Sequence, residues 1–108
     1  MVNIVNNSIT LTRGDTCVLK LNVVDVRGEN YTLQSGDKLT FTLRKKVSSV
    51  ATLLEKTLEE NILSLNPSDT LTLDFGDYVY DIVLKTATGE VFTVVPTSIF
   101  RVASEVHN

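Results

Sequence analysis

The sequence predicts an all-β fold, an antiparallel β-sandwich of about seven or eight strands, and three observations support this. The 108 residues include 15 valines, 5 isoleucines and 14 threonines but only 3 alanines, and these stiff, β-branched side chains fit a pleated sheet better than a helix. Apolar and polar residues alternate in short runs. Glycine, aspartate and asparagine separate the runs, as turns do between short strands of a sandwich or small barrel.

The length predicts a single domain over residues 1–108, with an ordered core at about 8–103. Domains cluster near ~100–150 residues, and two cores could not be built from this chain. Because 43% of the residues are hydrophobic and 21% are charged, the chain can bury a core and is not of the disordered class.

In the first half of the chain, alternation predicts strands at residues 8–12, 17–24 and 38–44. The tripeptide Arg13-Gly14-Asp15 separates the first two. Residues 25–30 and 34–37 have the composition of turns, and residues 31–33 are a short strand at most. The apolar positions that we expect to face inward are Cys17, Leu19, Leu21, Val23, Leu39, Phe41 and Leu43.

Residues 47–60 fit two interpretations, because their apolar positions fall at helical spacing while residues 54–58 also alternate. Periodicity alone favours a helix here. Residues 62–65 are a strand candidate, and Pro67 follows in a segment expected to end it. A further inward row contains Tyr78, Tyr80, Ile82 and Leu84. Residues 86–90 predict a hairpin turn, and the returning strand is expected to stop at Pro96 before a last strand at 99–102.

The segment from Asp74 to Tyr80 resembles the F strand of an immunoglobulin domain, in which Asp-x-(Ala/Gly)-x-Tyr-x-Cys forms a tyrosine corner. Gly76 and Tyr78 occupy the matching positions, and Tyr80 stands where the cysteine would be. We therefore expect Tyr78 to pack inward while its hydroxyl bonds backbone upstream. Cys17 would be the unpaired counterpart of the other immunoglobulin cysteine. The prediction is thus an immunoglobulin-like β-sandwich, and a true antibody-type domain is excluded.

Composition also argues against several function classes. A lone cysteine and a lone histidine, His107 in a tail expected to fray, offer neither an internal disulfide nor a metal site, and no cofactor is expected. A net charge of −3 and a pI near 5.0 disfavour a nucleic-acid partner. The longest apolar runs are too short for a membrane helix. The N-terminus lacks the features of a signal peptide.

No arrangement of residues points to catalysis, so we predict a protein that is not an enzyme. The carboxylates Glu55, Glu59 and Glu60 are interpreted as a solvated face. Cys17 is interpreted as a small core residue rather than a reactive thiol. In the tripeptide at 13–15, the integrin-binding interpretation is weaker than a structural one, in which Gly14 supplies a positive φ and Asp15 bonds nearby backbone.

Four segments together resemble, in their order along the chain, the N-terminal domain of phage baseplate upper proteins of tailed phages and prophages of Gram-positive bacteria. The likeness extends from about Ile9 to Val102. The segments that carry it are Ile9-Thr10-Leu11-Thr12-Arg13-Gly14-Asp15-Thr16, Phe41-Thr42-Leu43-Arg44-Lys45, Asn66-Pro67-Ser68-Asp69-Thr70 and Gly76-Asp77-Tyr78-Val79-Tyr80-Asp81-Ile82.

This resemblance implies a virion component, assembled in the host cytoplasm, that attaches receptor-binding machinery to the tail by contact with other tail or baseplate proteins. It also implies a strand at residues 52–58. In the family a helical or stalk-like region that trimerises usually follows the domain, so we expect either a stand-alone variant or a fragment. The alternative function is a carbohydrate-binding or adhesin-like module, for which Tyr31 is the one tyrosine expected to expose its ring.

Strand edges give an expectation about assembly. Residues 3–6 and 91–95 carry no charge, and an edge without charge or proline pairs readily with other chains. We therefore expect a homo-oligomer, or a weakly associating monomer, that uses strand edges and the face with Val18 and Val24. Phe92 and Val94 complete the expected interface.

Overall fold

The computed structural model describes residues 2–5, 7–24 and 27–104. His107 and part of the predicted turn at 25–30 lie outside these residues. Within them the chain forms eight strands and one helical turn, α1 (Pro67–Thr70). The strands are β1 (Val2–Val5), β2 (Ser8–Thr12), β3 (Cys17–Lys20), β4 (Lys38–Arg44), β5 (Leu54–Thr57), β6 (Ile62–Leu65), β7 (Gly76–Lys85) and β8 (Val91–Ala103). The predicted all-β class is confirmed.

Six strands form one sheet in the order β1-β2-β8-β7-β4-β5, and β3 pairs with β6 in a separate two-stranded sheet. The predicted antiparallel arrangement is wrong at one pair, because β2 runs parallel to the end of β8, with Ile9 opposite Phe100. The connection between these two strands spans most of the chain, so a hairpin does not constrain their relative direction.

The alternation in β4 and β7 places one face of the large sheet in the core. Leu39, Phe41 and Leu43 lie opposite Leu84, Ile82 and Tyr80 in the ladder, and all six are buried. Three aromatic rings stabilise the centre of this face. The ring centroid of Phe41 lies 5.4 Å from that of Tyr80 and 6.0 Å from that of Phe100, which are distances at which aromatic pairs attract each other.

The two-stranded sheet contributes Cys17, Leu63 and Leu65 to the same hydrophobic core. Leu19 and Leu21, which the pattern also predicts as core residues, are half-buried and pack against it. Phe41 and Ile82 are both buried, as expected. One apolar core therefore joins the two sheets.

Three predicted elements differ from the structure. The helical spacing at 47–60 is misleading: residues 47–53 form turns and bends, and β5 is a strand within the range that the resemblance implies. The strand expected at 17–24 ends at Lys20. Pro96 does not end its strand, because β8 continues through it. The strand at 62–65 ends where it was expected to end, and a helical turn follows it, where Asp69 Oδ2 accepts a hydrogen bond from Asn66 N at 2.7 Å.

Candidate interaction surface

An apolar groove lies between the hairpin of β7 and β8 and the segment that follows β3. We call it the β8 groove, and its volume is about 450 Å³. Three threonine or asparagine side chains, Asn22, Thr86 and Thr93, supply its polar part. The apolar and aromatic lining consists of Val23, Val24, Tyr31, Leu84, Phe92 and Val94.

Backbone hydrogen bonds hold the segment of residues 21–24 as one wall of this groove. Leu21 N donates to Asn61 O at 2.7 Å, which continues the direction of β3 past its last ladder pair. Tyr31 N donates to Val23 O at 2.8 Å, and an isolated bridge joins Val24 to Asn30. Val23 is buried, whereas Val24 beside it is exposed.

Asp37 holds Tyr31 at the groove. The Tyr31 hydroxyl donates to Asp37 Oδ2 at 2.6 Å, and the same carboxylate accepts from Gln34 N at 2.9 Å and from Ala87 N at 3.3 Å. The hydrogen bond from Tyr31 is the main cause that lowers the pKa of Asp37, and the same bond raises the pKa of Tyr31. The carboxylate thus connects the loop at 31–37 to the β7–β8 turn.

The first half of β8, residues 91–98, pairs with β7 on one side, and among the described residues no strand pairs with its other side. The sequence of this half shows few edge guards, with Pro96 as the only breaker, and the structure adds two more. The β7–β8 register shifts twice, between Tyr80 and Ile82 and between Ile82 and Val83. Both shifts add a residue to β8, and Pro96 lies within this stretch. Bulges and proline disfavour the addition of another strand.

Three of the four residues predicted as an interface share the β8 groove: Val24, Phe92 and Val94. The Val24 side chain is exposed, Phe92 keeps 49% of its surface accessible, and Val94 is half-buried. Val18 is also exposed, but it lies opposite exposed Ser64 in the β3–β6 ladder and does not line the groove. The structure therefore brings together the groove residues without Val18.

The opposite end of β7 carries the tyrosine corner. The Tyr78 hydroxyl donates to Asp74 O at 2.8 Å, which is the upstream backbone bond expected from the sequence. The ring is buried, and burial raises the pKa of the phenol. Gly76, at the start of β7, has a φ of 135°, in the region that glycine occupies most easily. Lys45 Nζ lies 4.5 Å from the centroid of the Tyr78 ring.

The Arg13-Gly14-Asp15 segment is fixed against the neighbouring turn. Gly14 has a φ of 85°, and its N–H donates to Oγ1 of the fully buried Thr70 at 2.9 Å. Asp15 N donates to Thr12 O at 3.0 Å, which closes the turn after β2. The Arg13 guanidinium carbon lies 4.2 Å from the centroid of the Phe75 ring. These are the contacts of a structural turn.

Cys17 is a free, buried thiol, and burial raises its pKa, which disfavours the reactive thiolate. Tyr80 is buried, and its hydroxyl donates to Asn7 O. Among residues 2–5, 7–24 and 27–104, no three histidine, cysteine or acidic side chains group as metal ligands would. No helix in this part of the chain is long and apolar enough to span a membrane.

Asn22 and Asp37, which shape the β8 groove, and Thr70, which binds Gly14 at the other end of β7, were not among the predicted site residues. Asp37 follows Gly36 in a predicted turn, which is a weak signal for a carboxylate that accepts backbone bonds. Thr70 has no such signal, since its partner Gly14 is 56 positions away. Comparison of the chain with family models, curated proteins and solved structures finds no match.

Proposed function

We propose that this chain is a non-enzymatic structural module of a phage tail or baseplate, which acts by protein–protein contact to attach receptor-binding machinery to the tail. The order of the four segments that resemble baseplate upper proteins supports the tail context. The observation that supports a role in protein–protein contact is the β8 groove. An apolar depression with exposed valine and phenylalanine at its rim is typical of an interaction surface.

An immunoglobulin-like topology is the proposed fold, and three observations support it. Strands C, F and G of that fold are neighbours in one sheet, and β4, β7 and β8 have this order. Strands B and E are neighbours in the other sheet, as β3 and β6 are. The Tyr78 bond to Asp74 O lies at the start of the strand that corresponds to F.

The groove suits a partner that inserts an apolar side chain. Its volume of about 450 Å³ exceeds that of a single large side chain, and Tyr31 is already fixed by Asp37. A wall that is ordered before binding loses little conformational entropy on association. Phe92 would then be a principal contact, because partly exposed aromatic residues often contribute most of the binding energy of an interface.

The tail context is tested by mass spectrometry of virions or tails purified from the bacterium that carries the gene. We expect this chain to co-purify with tail proteins through a density gradient. Its absence from intact tails, while it is present in the lysate, would refute the proposal. The measurement requires no assumption about which surface makes the contact.

The contact surface is tested with a matched pair of phenylalanines. Phe92 and Phe75 are each 49% exposed, but Phe75 lies beside Arg13, outside the groove. Phe92→Ser is expected to reduce retention on purified tails at least about tenfold, as loss of an interface anchor does, whereas Phe75→Ser keeps it. Equal retention of both variants would show that the groove is not the contact.

A carbohydrate-binding module is the second candidate, and the position of Tyr31 favours it. Tyr31 and Phe92 both line the groove, beside the amide of Asn22, and aromatic rings with nearby polar groups are what a sugar requires. Titration with host cell-wall oligosaccharides, followed by NMR shifts of Tyr31 and Phe92, distinguishes the two. Binding that Tyr31→Ala abolishes, in a chain absent from tails, would favour this candidate.

A further inference from the structure

The large sheet leaves three strand sides unpaired among the described residues. They are the outer side of β1, the outer side of β5 and the free side of residues 91–98 in β8. An unpaired strand exposes backbone donors and acceptors that another strand can use, and folded proteins block such edges with charge, proline or bulges. The three edges differ in how they are blocked.

Two of the three edges carry guards. In β5, Glu55 and Lys56 place opposite charges on a strand of four residues, and Lys56 Nζ forms an ion pair with Asp69 Oδ2 at 3.0 Å. In β8, two register shifts and Pro96 interrupt the free stretch. The edge of β5 is therefore charged, and the free edge of β8 is irregular, so neither offers a regular, neutral backbone to another strand.

The β1 edge has none of these guards. Its sequence, Val-Asn-Ile-Val, contains no charge, proline or glycine. Four consecutive pairs join it to β2 without a register shift, from Val2 opposite Leu11 to Val5 opposite Ser8. Strand β2 beside it is also uncharged. Regular backbone and neutral sequence coincide at this edge.

We propose that the partner of the β1 edge is a second copy of this chain, paired antiparallel about a two-fold axis perpendicular to the sheet. Such an axis requires one residue to lie opposite its own counterpart, and Asn3 or Ile4 can take that place. The nearest charged side chain that follows in the ladder, Arg13, stays more than about 20 Å from its counterpart, well beyond a Debye length. Among the residues of β1 and β2, a second copy therefore brings no like charges together.

The expected dimer is weak. Four residues per strand bury far less than the ~800 Å² per partner of a standard interface, so association should be evident only at high protein concentration. The surface is separate from the β8 groove, so the inference goes beyond the proposed function. Loss of one contact leaves the other intact.

Sedimentation velocity of the full chain, from about 10 µM to about 1 mM, tests the proposal. We expect a reversible monomer–dimer equilibrium. Asn3→Lys places two lysines within about 8 Å across the axis and should weaken association about tenfold. Asn3 lies opposite Thr10, which is not a buried residue, so the fold should persist. Val50→Lys, at a valine that is 96% exposed elsewhere, is the matched control and should associate as the original chain does.

A mixture of Asn3→Lys with Asn3→Asp should restore association, which a misfolded variant could not do. Amides of Val2–Val5 should gain protection from hydrogen exchange at high concentration, while those of Leu54–Thr57 should not. A monomer at every concentration would overturn the proposal, as would association unchanged by Asn3→Lys. Loss of association in Val94→Lys alone would assign the contact to the groove and would equally overturn it.

Discussion

The two ends of β7 use their side chains differently. At the Gly76 end, hydroxyl and charged groups bind other groups of the same chain. The Tyr78 hydroxyl donates to Asp74 O, and the Thr70 hydroxyl accepts from Gly14 N. The Arg101 guanidinium donates to both carboxylate oxygens of Asp77, at 2.6 and 3.1 Å. At the Lys85 end, Asp37 orders one wall of the β8 groove, and valine and phenylalanine side chains remain uncovered.

This difference separates stability from recognition within one strand pair. The Gly76 end closes the corner between the sheets, and its polar groups have partners within the chain. The Lys85 end holds an ordered depression with apolar residues open to solvent, which a partner can cover. Substitutions at the first end should therefore change the free energy of unfolding, whereas substitutions of the exposed groove residues Val24 and Phe92 should change it little.

The largest effect at the Gly76 end is expected from Thr70→Val. Valine keeps the shape of the buried side chain but leaves Gly14 N–H without its acceptor, which should cost about 2 kcal/mol of unfolding free energy. Urea denaturation measures this. Thr70→Ser, which keeps the hydroxyl, should lose less, and a valine variant as stable as the original would contradict the role of this bond.

At the Lys85 end, Gly36→Ala should cost about 1–2 kcal/mol, because Gly36 has a φ of 90° and a Cβ there would lie 2.7 Å from Ala87 Cβ. Gly89→Ala is the matched control, since its φ is 91° with nothing within 4 Å of the added atom. Thermal unfolding of both variants separates backbone strain from contact. If they lose equal stability, the loop at 31–37 does not depend on its close approach to the β7–β8 turn.

Tyr78→Phe should cost about 1 kcal/mol, because it removes the hydroxyl that bonds Asp74 O and keeps the buried ring. The change should leave retention on purified tails unaltered, since the corner is distant from the groove along β7. Stability measured by denaturant and retention measured on tails together test the proposed separation. A Tyr78→Phe variant that folds but is no longer retained on tails would contradict the proposal that the two ends of β7 have separate roles.

The smallest effect concerns pH. The pKa of Asp37 is held below its usual value of 3.8 by the Tyr31 hydroxyl, so its stabilising contribution is present above that pH and is lost as the pH falls through the lowered pKa. Asp37→Asn should make stability less dependent on pH below 4. Asp77→Asn tests the other end, where the Arg101 guanidinium lowers the pKa of Asp77. Denaturation midpoints at pH 7 and pH 3 measure both, and identical pH profiles for all variants would contradict the expectation.

Much of the fold follows from local pattern, because the alternation in β4 and β7 is itself the packing of one sheet face. The apolar spacing wrongly predicted a helix at residues 47–53, which lie outside the hydrophobic core. Val47 and Val50 fall at helical spacing, but both side chains are exposed, and without an apolar surface to cover, the spacing does not make a helix. The parallel β2–β8 pair was not predictable either, since pairing across 91 residues leaves no local signal.

The candidate surface was only partly predictable. An uncharged strand edge indicated Phe92 and Val94, and the outward face of the second strand indicated Val24, and the fold brings the three together. Val18 has the same local pattern, but the direction of β3 places it elsewhere. The register shifts that guard β8 depend on its pairing with β7, so the sequence of β8 alone does not contain them.

The position of β8 has a consequence for synthesis of the protein. Strand β8, which follows the other strands of the described residues in sequence, lies between β2 and β7, with Phe100 opposite both Ile9 and Tyr78. Until residues 91–103 leave the ribosome, the sides of β2 and β7 that pair with β8 have no strand beside them. Folding must wait for contacts that are distant in sequence, which makes it slow and leaves strands exposed in the meantime. Because β8 is synthesised after β2 and β7, its addition joins these two strands into one sheet.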